Sequence, residues 1–195
     1  GGLWNYRPKD PEVGGTVMAS TVVNTSKEMM AYSDFVPDES LPNFMHHSKL
    51  LTYIRDYAEN FGLLQYIQFN TAVKSIVKDG SDWIVQLDNG KVERFDRLML
   101  CTGHHVVPQY AQIRDFGKFK GQTLHAQQYR DYTPFVGKNV FLLGIGNSSL
   151  DIAVELAKIA KSVTISTRRG SWIFNRVSAG GMPYDTQLMT RWFDW

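Results

Sequence analysis

The segment Val140–Asp151 reads VFLLGIGNSSLD and decides the fold of the second half of the chain. Its first four residues, Val140–Leu143, are a short apolar run typical of a buried strand. Helical spacing of apolar residues follows over Asp151–Ala160, and Val163–Thr167 is a second strand rich in β-branched residues. A strand, a helix and a strand in this order predict a parallel βαβ unit.

Two glycines lie where the first of these strands turns into the helix. Gly144 permits the tight turn, and Gly146 lets the backbone approach a pyrophosphate, which the N–H groups at the helix start would bind. Ser149 occupies the third position of the G-x-G-x-x-G fingerprint, where a small residue lets helix and strand pack closely. We therefore predict a dinucleotide-binding turn rather than a turn with only a structural role.

The end of the second strand indicates which dinucleotide binds. NAD sites usually carry an acidic residue about 20 positions after the glycines, but residues Ser166–Gly170 read STRRG. A carboxylate would repel a 2′-phosphate, whereas a guanidinium group matches it in charge and geometry. The sequence favours NADP over NAD, with Arg168 as its contact. The alternative, a solvated basic turn, applies more to Arg169.

The first hundred residues predict one helix and a small sheet. Helical spacing runs from Ser48, the expected N-cap, to Gly62 at the end of the helix. Asn89-Gly90 is a strong hairpin signal. We expect an antiparallel meander of three strands: Ala72–Lys78, Trp83–Leu87 and Val92–Phe95. Arg97–Thr102 predicts a further buried strand, with Cys101 as a small core residue near its end.

Composition excludes several classes of protein and site. The 21 basic and 19 acidic residues leave a formal charge of +2, so nucleic acid is not an expected partner. The apolar runs fall far short of the roughly 20 residues that cross a bilayer. The single cysteine excludes an internal disulfide and a cysteine-based zinc site. We predict no metal site, because the two pairs of adjacent histidines lack the spacing of ligands.

The segment between the two halves carries the most specific motif. Residues Phe119–Tyr129 read FKGQTLHAQQY and match F-x-G-x-x-x-H-x-x-x-Y, the signature of flavin-containing monooxygenases. Further segments match the animal-type members: Gly1–Trp4, Asn24–Met30, Pro42–His46, Cys101–His105, Gly144–Ser148 and Ser166–Trp172. The sequence therefore resembles flavin-containing monooxygenases over its whole length.

The resemblance implies an α/β flavoprotein with two dinucleotide-binding, Rossmann-like domains. Residues 1–107 would be part of the FAD-binding domain, 108–138 the linker with the signature, and 139–195 the N-terminal part of the NADP-binding domain. The family's first G-x-G-x-x-G turn has no counterpart here, and the sequence does not begin with methionine. We therefore expect an internal fragment of a family member, with an incomplete FAD domain.

The resemblance also implies an activity. NADPH would reduce FAD, O2 would then give a C4a-hydroperoxyflavin, and a soft nitrogen or sulfur atom of a small amine or sulfide would take one oxygen atom. This chain has no membrane segment, but animal-type members imply a full-length protein on the cytoplasmic side of the endoplasmic reticulum membrane.

Matching the family motifs residue by residue gives the candidate site. Leu3 and Trp4 would line the FAD, and the backbone of Val23 would lie beside it. Asn24, the catalytic candidate, would place its amide between flavin and nicotinamide; the alternative role is a turn or N-cap before the next helix. The expected NADP contacts at the helix start are Ser148, Ser149, Leu150 and Asp151. We expect His125 to organise the link between the domains rather than to act in catalysis.

Two other functions stay open at this stage. A Baeyer-Villiger monooxygenase shares the two nucleotide-binding domains, but its signature continues H-x-x-x-W, and Tyr129 stands at that position here. A truncated, non-catalytic NADP-binding protein is the other alternative, because the first FAD turn is absent from the sequence. Residues encoded upstream that contained a strand followed by G-x-G-x-x-G would favour an enzyme over the truncated protein.

Overall fold

In the computed structural model, which describes residues 2–8 and 17–189, the chain divides into two units. Arg55–His104 is one unit, and the described residues on either side of it form the other. The domain boundaries at 107 and 138 come from the family resemblance, and they stay predictions. Residues 9–16 of the predicted FAD segment and 190–195 of the predicted NADP segment lie outside the described residues.

The predicted βαβ unit is confirmed. Strand β4 (Asn139–Leu143), helix α3 (Asn147–Leu156) and strand β5 (Ser162–Ser166) follow one another, and the strands pair in parallel. The helix begins four residues before the predicted start, because its first three residues, Asn147–Ser149, are polar and add nothing to the apolar spacing. It ends at Leu156, whose carbonyl accepts both the Ile159 and Ala160 N–H groups in a closing turn.

Helix α3 is fixed by a small apolar cluster. Leu156 is fully buried, and Ile152, one turn earlier, is 3% exposed. They pack with Met18 and Tyr129, which come from the N-terminal segment and from the end of the signature motif. The cluster thus ties three distant parts of the sequence together.

A second cluster holds the N-terminal segments. Helix α1 (Lys27–Met30) and the first part of helix α2 (His47–Asn60) lie in the unit that flanks Arg55–His104 in the sequence. The buried side chains are those of Val23, Met45, Leu50 and Tyr53, with Trp4 packed against them. Arg130 connects this region to the signature motif: its carbonyl accepts the Ala19 N–H at 2.9 Å, and its Nε donates to the Arg7 carbonyl at 2.9 Å.

The start of helix α2 differs from the prediction. Ser48 is not its N-cap, because the helix already begins at His47. The side chain of His46 takes the capping role, since its Nδ1 accepts the Ser48 N–H at 3.4 Å. The predicted end is confirmed: Gly62 has φ +60° and donates its N–H to the Glu59 carbonyl. Among the described residues, no helix is both long and apolar enough to cross a bilayer.

The unit Arg55–His104 contains the predicted meander. Strands β1 (Val73–Asp79), β2 (Asp82–Leu87) and β3 (Val92–Phe95) pair antiparallel in that order. Gly90 has φ +84° in the turn between β2 and β3, which confirms the Asn-Gly hairpin.

The predicted strand Arg97–Thr102 is wrong. These residues form no strand, Met99 and Leu100 are 85% and 69% exposed, and Cys101 is exposed rather than a core residue. Apolar composition alone does not make a strand, because the backbone also needs a partner to complete its hydrogen bonds. No strand among the described residues pairs with this segment.

The apolar cluster under helix α3 predicts a difference between two positions on that helix. Leu156→Ala should lower the free energy of unfolding by about 2–5 kcal/mol, because it removes a fully buried side chain and leaves a cavity. Val154→Ala is the matched control: its side chain is 65% exposed, so its effect should stay within about 0.5 kcal/mol. Chemical denaturation measures both, and equal losses would contradict this assignment of the core.

The remaining short helices of the chain follow from local turns. Four 3₁₀ helices complete the described structure: Leu63–Tyr66, Phe116–Lys118, Ala126–Gln128 and Thr133–Phe135. A last helix, α4, spans Tyr184–Leu188. Three of the 3₁₀ helices lie in the predicted linker, so this loop-rich segment has defined local structure.

Candidate functional site

The turn between β4 and α3 has open space at both of its glycines, where an added Cβ would meet no described atom within 4 Å. Gly144 has φ +107°, a conformation that side chains disfavour, and it donates its N–H to the Ser166 carbonyl at 2.8 Å. Gly146 has an ordinary φ of −74°, and a Cβ built on it would meet no described atom within 4 Å. Packing within the chain therefore does not require glycine at 146, whereas a group approaching from outside would.

The start of helix α3 offers donors for such a group. Gly146 is the N-cap residue, and no side chain among the described residues caps the helix. The first N–H groups of a helix have no partner within it, and together with the helix dipole they attract anions. Ser149 donates its Oγ–H to the Gly144 carbonyl at 2.9 Å, so this serine braces the turn from within the helix. The geometry fits a pyrophosphate at the helix start.

The arginines after β5 lie at the same edge of the parallel pair. Leu143 is in register with Ser166, which brings the carboxyl ends of β4 and β5 side by side. Arg168 follows two residues later and is exposed, and neither Arg168 nor Arg169 forms an ion pair with any described residue. The hydroxyl of Thr167 donates to the Arg169 carbonyl at 2.5 Å and so shapes the turn. A guanidinium group is thus available beside the glycine turn.

Asp151 lies at the end of the first turn of α3. Burial raises the pKa of its carboxyl above the ordinary value, and the nearby Arg176 guanidinium opposes that shift. The side chain still contacts solvent. Ser148 and Leu150 are its neighbours on the same turn, so all four predicted contacts of the helix start are brought together.

The Asn24 bend, residues Val23–Ser26, presents an amide to solvent. Asn24 is exposed and forms no hydrogen bond with any described residue. The alternative role as an N-cap is wrong, because Ser26 is the N-cap of α1 and its Oγ accepts the Met29 N–H at 3.3 Å. The other half of that alternative, a turn residue, stands, because Asn24 lies in the bend itself, but its amide caps no described helix.

The residues predicted to line FAD lie close to this bend. Val23 is 4% exposed, donates its N–H to the Met45 carbonyl at 2.9 Å, and accepts from Arg176 Nη1 at 3.4 Å. Trp4 packs on the cluster that contains Val23, and the Leu3 carbonyl accepts the Val17 N–H at 3.1 Å. The structure thus brings Leu3, Trp4, Val23 and Asn24 into one region. Helix α3, whose first turn carries the other predicted contacts, packs through Ile152 and Leu156 on the other cluster.

Three residues of the signature motif, Phe119, Gly121 and His125, make contacts within the motif. A Cβ on Gly121 would overlap the Phe119 ring, whose Cε1 would lie 2.7 Å away, so a larger residue at 121 would require this 58% exposed ring to shift. His125 caps a 3₁₀ helix: its Nδ1 accepts the Gln127 N–H at 3.1 Å, while its own N–H donates to Gln128 Oε1 at 3.1 Å. These contacts agree with an organising role for His125.

Tyr129 connects the motif to the dinucleotide helix. It is 2% exposed, and its hydroxyl donates to Glu155 Oε2, on α3, at 2.5 Å. Burial raises the pKa of the Tyr129 hydroxyl, and Glu155 raises it further, so the group stays a donor. The motif therefore fixes the helix whose first turn forms the candidate site.

Sequence reasoning missed three residues that shape the site: Glu155, Arg176 and Asp185. Glu155 could have been found from the need of a buried tyrosine hydroxyl for an acceptor. Arg176 and Asp185 carry no such signal, because their contacts join segments about 150 positions apart. No group of three or more potential metal ligands lies together in the part of the chain that the structure describes.

Comparison with known proteins agrees with this site. The family model FMO-like, described as flavin-binding monooxygenase-like, matches residues 1–195. Dimethylaniline monooxygenase (N-oxide-forming) 2 of Macaca mulatta is 45% identical to this chain, over 98% of the chain and 38% of that protein. Flavin-containing monooxygenase 5 of Rattus norvegicus matches with the same identity and coverage. This chain thus spans well under half the length of these relatives.

The fold of the chain is also found in a solved structure. The S-allyl-L-cysteine S-oxygenase from Allium sativum superposes with a TM-score of 0.81 at 25% identity, over 93% of this chain and 46% of that one. The predicted α/β fold of two-dinucleotide-binding-domain flavoproteins is confirmed, and so is the predicted resemblance. The strand-to-helix turn, the signature motif and the full-length match lead to one conclusion: this chain belongs to the flavin-binding monooxygenase-like family.

Proposed function

We propose that the protein carrying this chain is a flavoprotein monooxygenase that uses NADPH and O2 to oxygenate nitrogen or sulfur atoms of small amines or sulfides. Membership of the family supports the reaction class. The names of similar proteins, an N-oxide-forming monooxygenase and an S-oxygenase, support nitrogen and sulfur as acceptor atoms. This chain corresponds to 38% of the length of the Macaca mulatta relative. The activity is therefore proposed for the whole protein that carries this chain.

One observation carries the proposal: the open glycine turn and Arg168, which forms no ion pair with any described residue, lie at the same edge of a parallel strand pair. The N–H groups at the start of α3 that have no acceptor within the helix, those of Asn147, Ser148 and Ser149, would hold the pyrophosphate of NADPH, with Leu150 and Asp151 beside it. Arg168 would bind its 2′-phosphate. Gly144 and Gly146 would keep side chains out of the space that the dinucleotide needs.

The FAD would be held by the region around the Asn24 bend. Leu3 and Trp4 would pack on it, and Val23 would present its backbone. Bound FAD supplies hydride acceptance from NADPH and activation of O2, which this chain's side chains do not supply. The residues of this chain would bind and orient the two cofactors and would exclude water. The exposed Asn24 amide can donate one hydrogen bond and accept another, so it can orient two groups at once.

We also propose that the intact protein resides on the cytoplasmic side of the endoplasmic reticulum membrane. The support is the resemblance to animal-type members of the family. This part of the proposal is independent of the site, and fluorescence microscopy of the tagged intact protein tests it.

Charge reversal at Arg168 tests the cofactor preference. In the intact protein, Arg168→Glu should weaken NADPH binding by about 10- to 100-fold, the loss expected for a charge-assisted hydrogen bond, and NADH binding much less. Titration with each nucleotide measures both affinities. Lys161→Glu is the control, because Lys161 is exposed and precedes the opposite end of β5. Equal losses for both nucleotides would show that Arg168 only supports the fold.

Substitution of Asn24 tests the catalytic assignment. Asn24→Ala and Asn24→Asp should yield less oxygenated product and more hydrogen peroxide per NADPH consumed, because the amide no longer orients the reacting groups. The aspartate should be worse, since it cannot donate a hydrogen bond and adds a negative charge.

The control for Asn24 is Glu28→Gln, a change at an exposed position on the neighbouring helix α1. It should leave the ratio of peroxide to NADPH at its original value. Product yields in both Asn24 variants equal to that of the unmodified protein would remove Asn24 from the mechanism.

A further inference from the structure

The segment Arg176–Leu188 folds back on itself and is braced internally. Val177 and Pro183 form an antiparallel bridge, and the Ser178 N–H donates to the Met182 carbonyl at 2.9 Å. Gln187 on α4 donates to Ser178 Oγ at 2.8 Å. These contacts give the segment a defined shape, so its charged side chains can hold other parts of the chain in place.

Two of those side chains form hydrogen bonds to the backbone of the Asn24 bend, one on each side of Asn24. Arg176 Nη1 donates to the Val23 carbonyl at 3.4 Å, and Asp185 Oδ2 accepts the Ser26 N–H at 2.6 Å. Ser26 is fully buried, so its N–H needs a partner within the protein. Asp185 supplies that partner from 159 positions further along the chain.

We infer that Arg176 and Asp185 are positioning residues for Asn24: the clamp that they form sets the backbone on both sides of it and thereby aims its amide. The inference rests on the proposed function, because it gives the clamp a task only if Asn24 acts in the reaction. Arg176 and Asp185 lie outside the segments of this sequence that match the family motifs.

Arg176 also interacts with groups beyond the Asn24 bend. Its guanidinium lies 6.0 Å from the centre of the Phe44 ring. Burial raises the pKa of the Asp151 carboxyl on α3, and the charge of Arg176 opposes that rise. Arg176 therefore interacts electrostatically with the first turns of the dinucleotide helix as well as with the Val23 carbonyl.

The first test needs no cofactor. Loss of the Asp185 carboxylate should leave the Ser26 N–H without its acceptor, so Asp185→Ala should speed hydrogen exchange in the peptide that contains Ser26 by about tenfold, the effect expected for one lost charge-assisted hydrogen bond. Asp185→Asn should restore most of the protection, because its amide oxygen can still accept. Mass spectrometry of the intact protein measures both, and unchanged exchange in Asp185→Ala would overturn the clamp.

The second test asks whether the clamp acts through Asn24. Arg176→Gln and Asp185→Ala should each raise the hydrogen peroxide released per NADPH consumed severalfold, with Asp185→Asn close to the parent ratio. Combining Asp185→Ala with Asn24→Ala should add nothing beyond Asn24→Ala alone, because residues that act through one group are not additive. A purely structural role would instead lower the melting temperature and leave the peroxide ratio unchanged, which would overturn the inference.

The Asn24→Ala arm separates the two possible failures. If Asn24→Ala raises the peroxide ratio and the clamp variants do not, the inference is wrong and the proposed function stands. If Asn24→Ala has no effect on the ratio, the role given to Asn24 fails, and the positioning role given to Arg176 and Asp185 fails with it.

Discussion

The first N–H groups of a helix have no partners within it, and the candidate site depends on this constraint at the start of α3. Such donors must find a side chain, water or a ligand. Here no described side chain caps α3, and Gly146 keeps the space in front of it clear. The parallel register of β4 and β5 then brings Arg168 to the same edge. The anion binding that we propose for this site follows from the backbone, and the proposed role of Arg168 is to add selectivity for a phosphorylated ribose.

The remainder of this unit keeps the turn in position. The signature motif ends in Tyr129, which is buried against α3 and bonded to Glu155. Gly121 and His125 shape the loop that delivers this tyrosine. From the other end of the chain, Arg176 and Asp185 hold the Asn24 bend. The signature motif, to which we assign no catalytic group, therefore holds the helix whose first turn forms the candidate site.

The sequence predicted those parts of the structure that depend on neighbours along the chain. The βαβ unit and the meander followed from apolar periodicity and from the Asn89-Gly90 turn. Arg97–Thr102 was wrongly predicted as a strand, because a strand depends on a partner that local composition does not reveal. The contacts of Arg176 and Asp185 were missed for the same reason: they join segments that only the fold brings together.

We propose that position 146 is glycine because a dinucleotide must approach it, and not because the fold requires glycine there. Its φ of −74° suits any residue, and a Cβ there would meet no described atom within 4 Å. Gly146→Ala in the intact protein should therefore change the free energy of unfolding by no more than about 1 kcal/mol, while NADPH affinity falls by at least about tenfold through steric exclusion of the pyrophosphate. Unaltered NADPH affinity in this variant, with folding intact, would contradict the account.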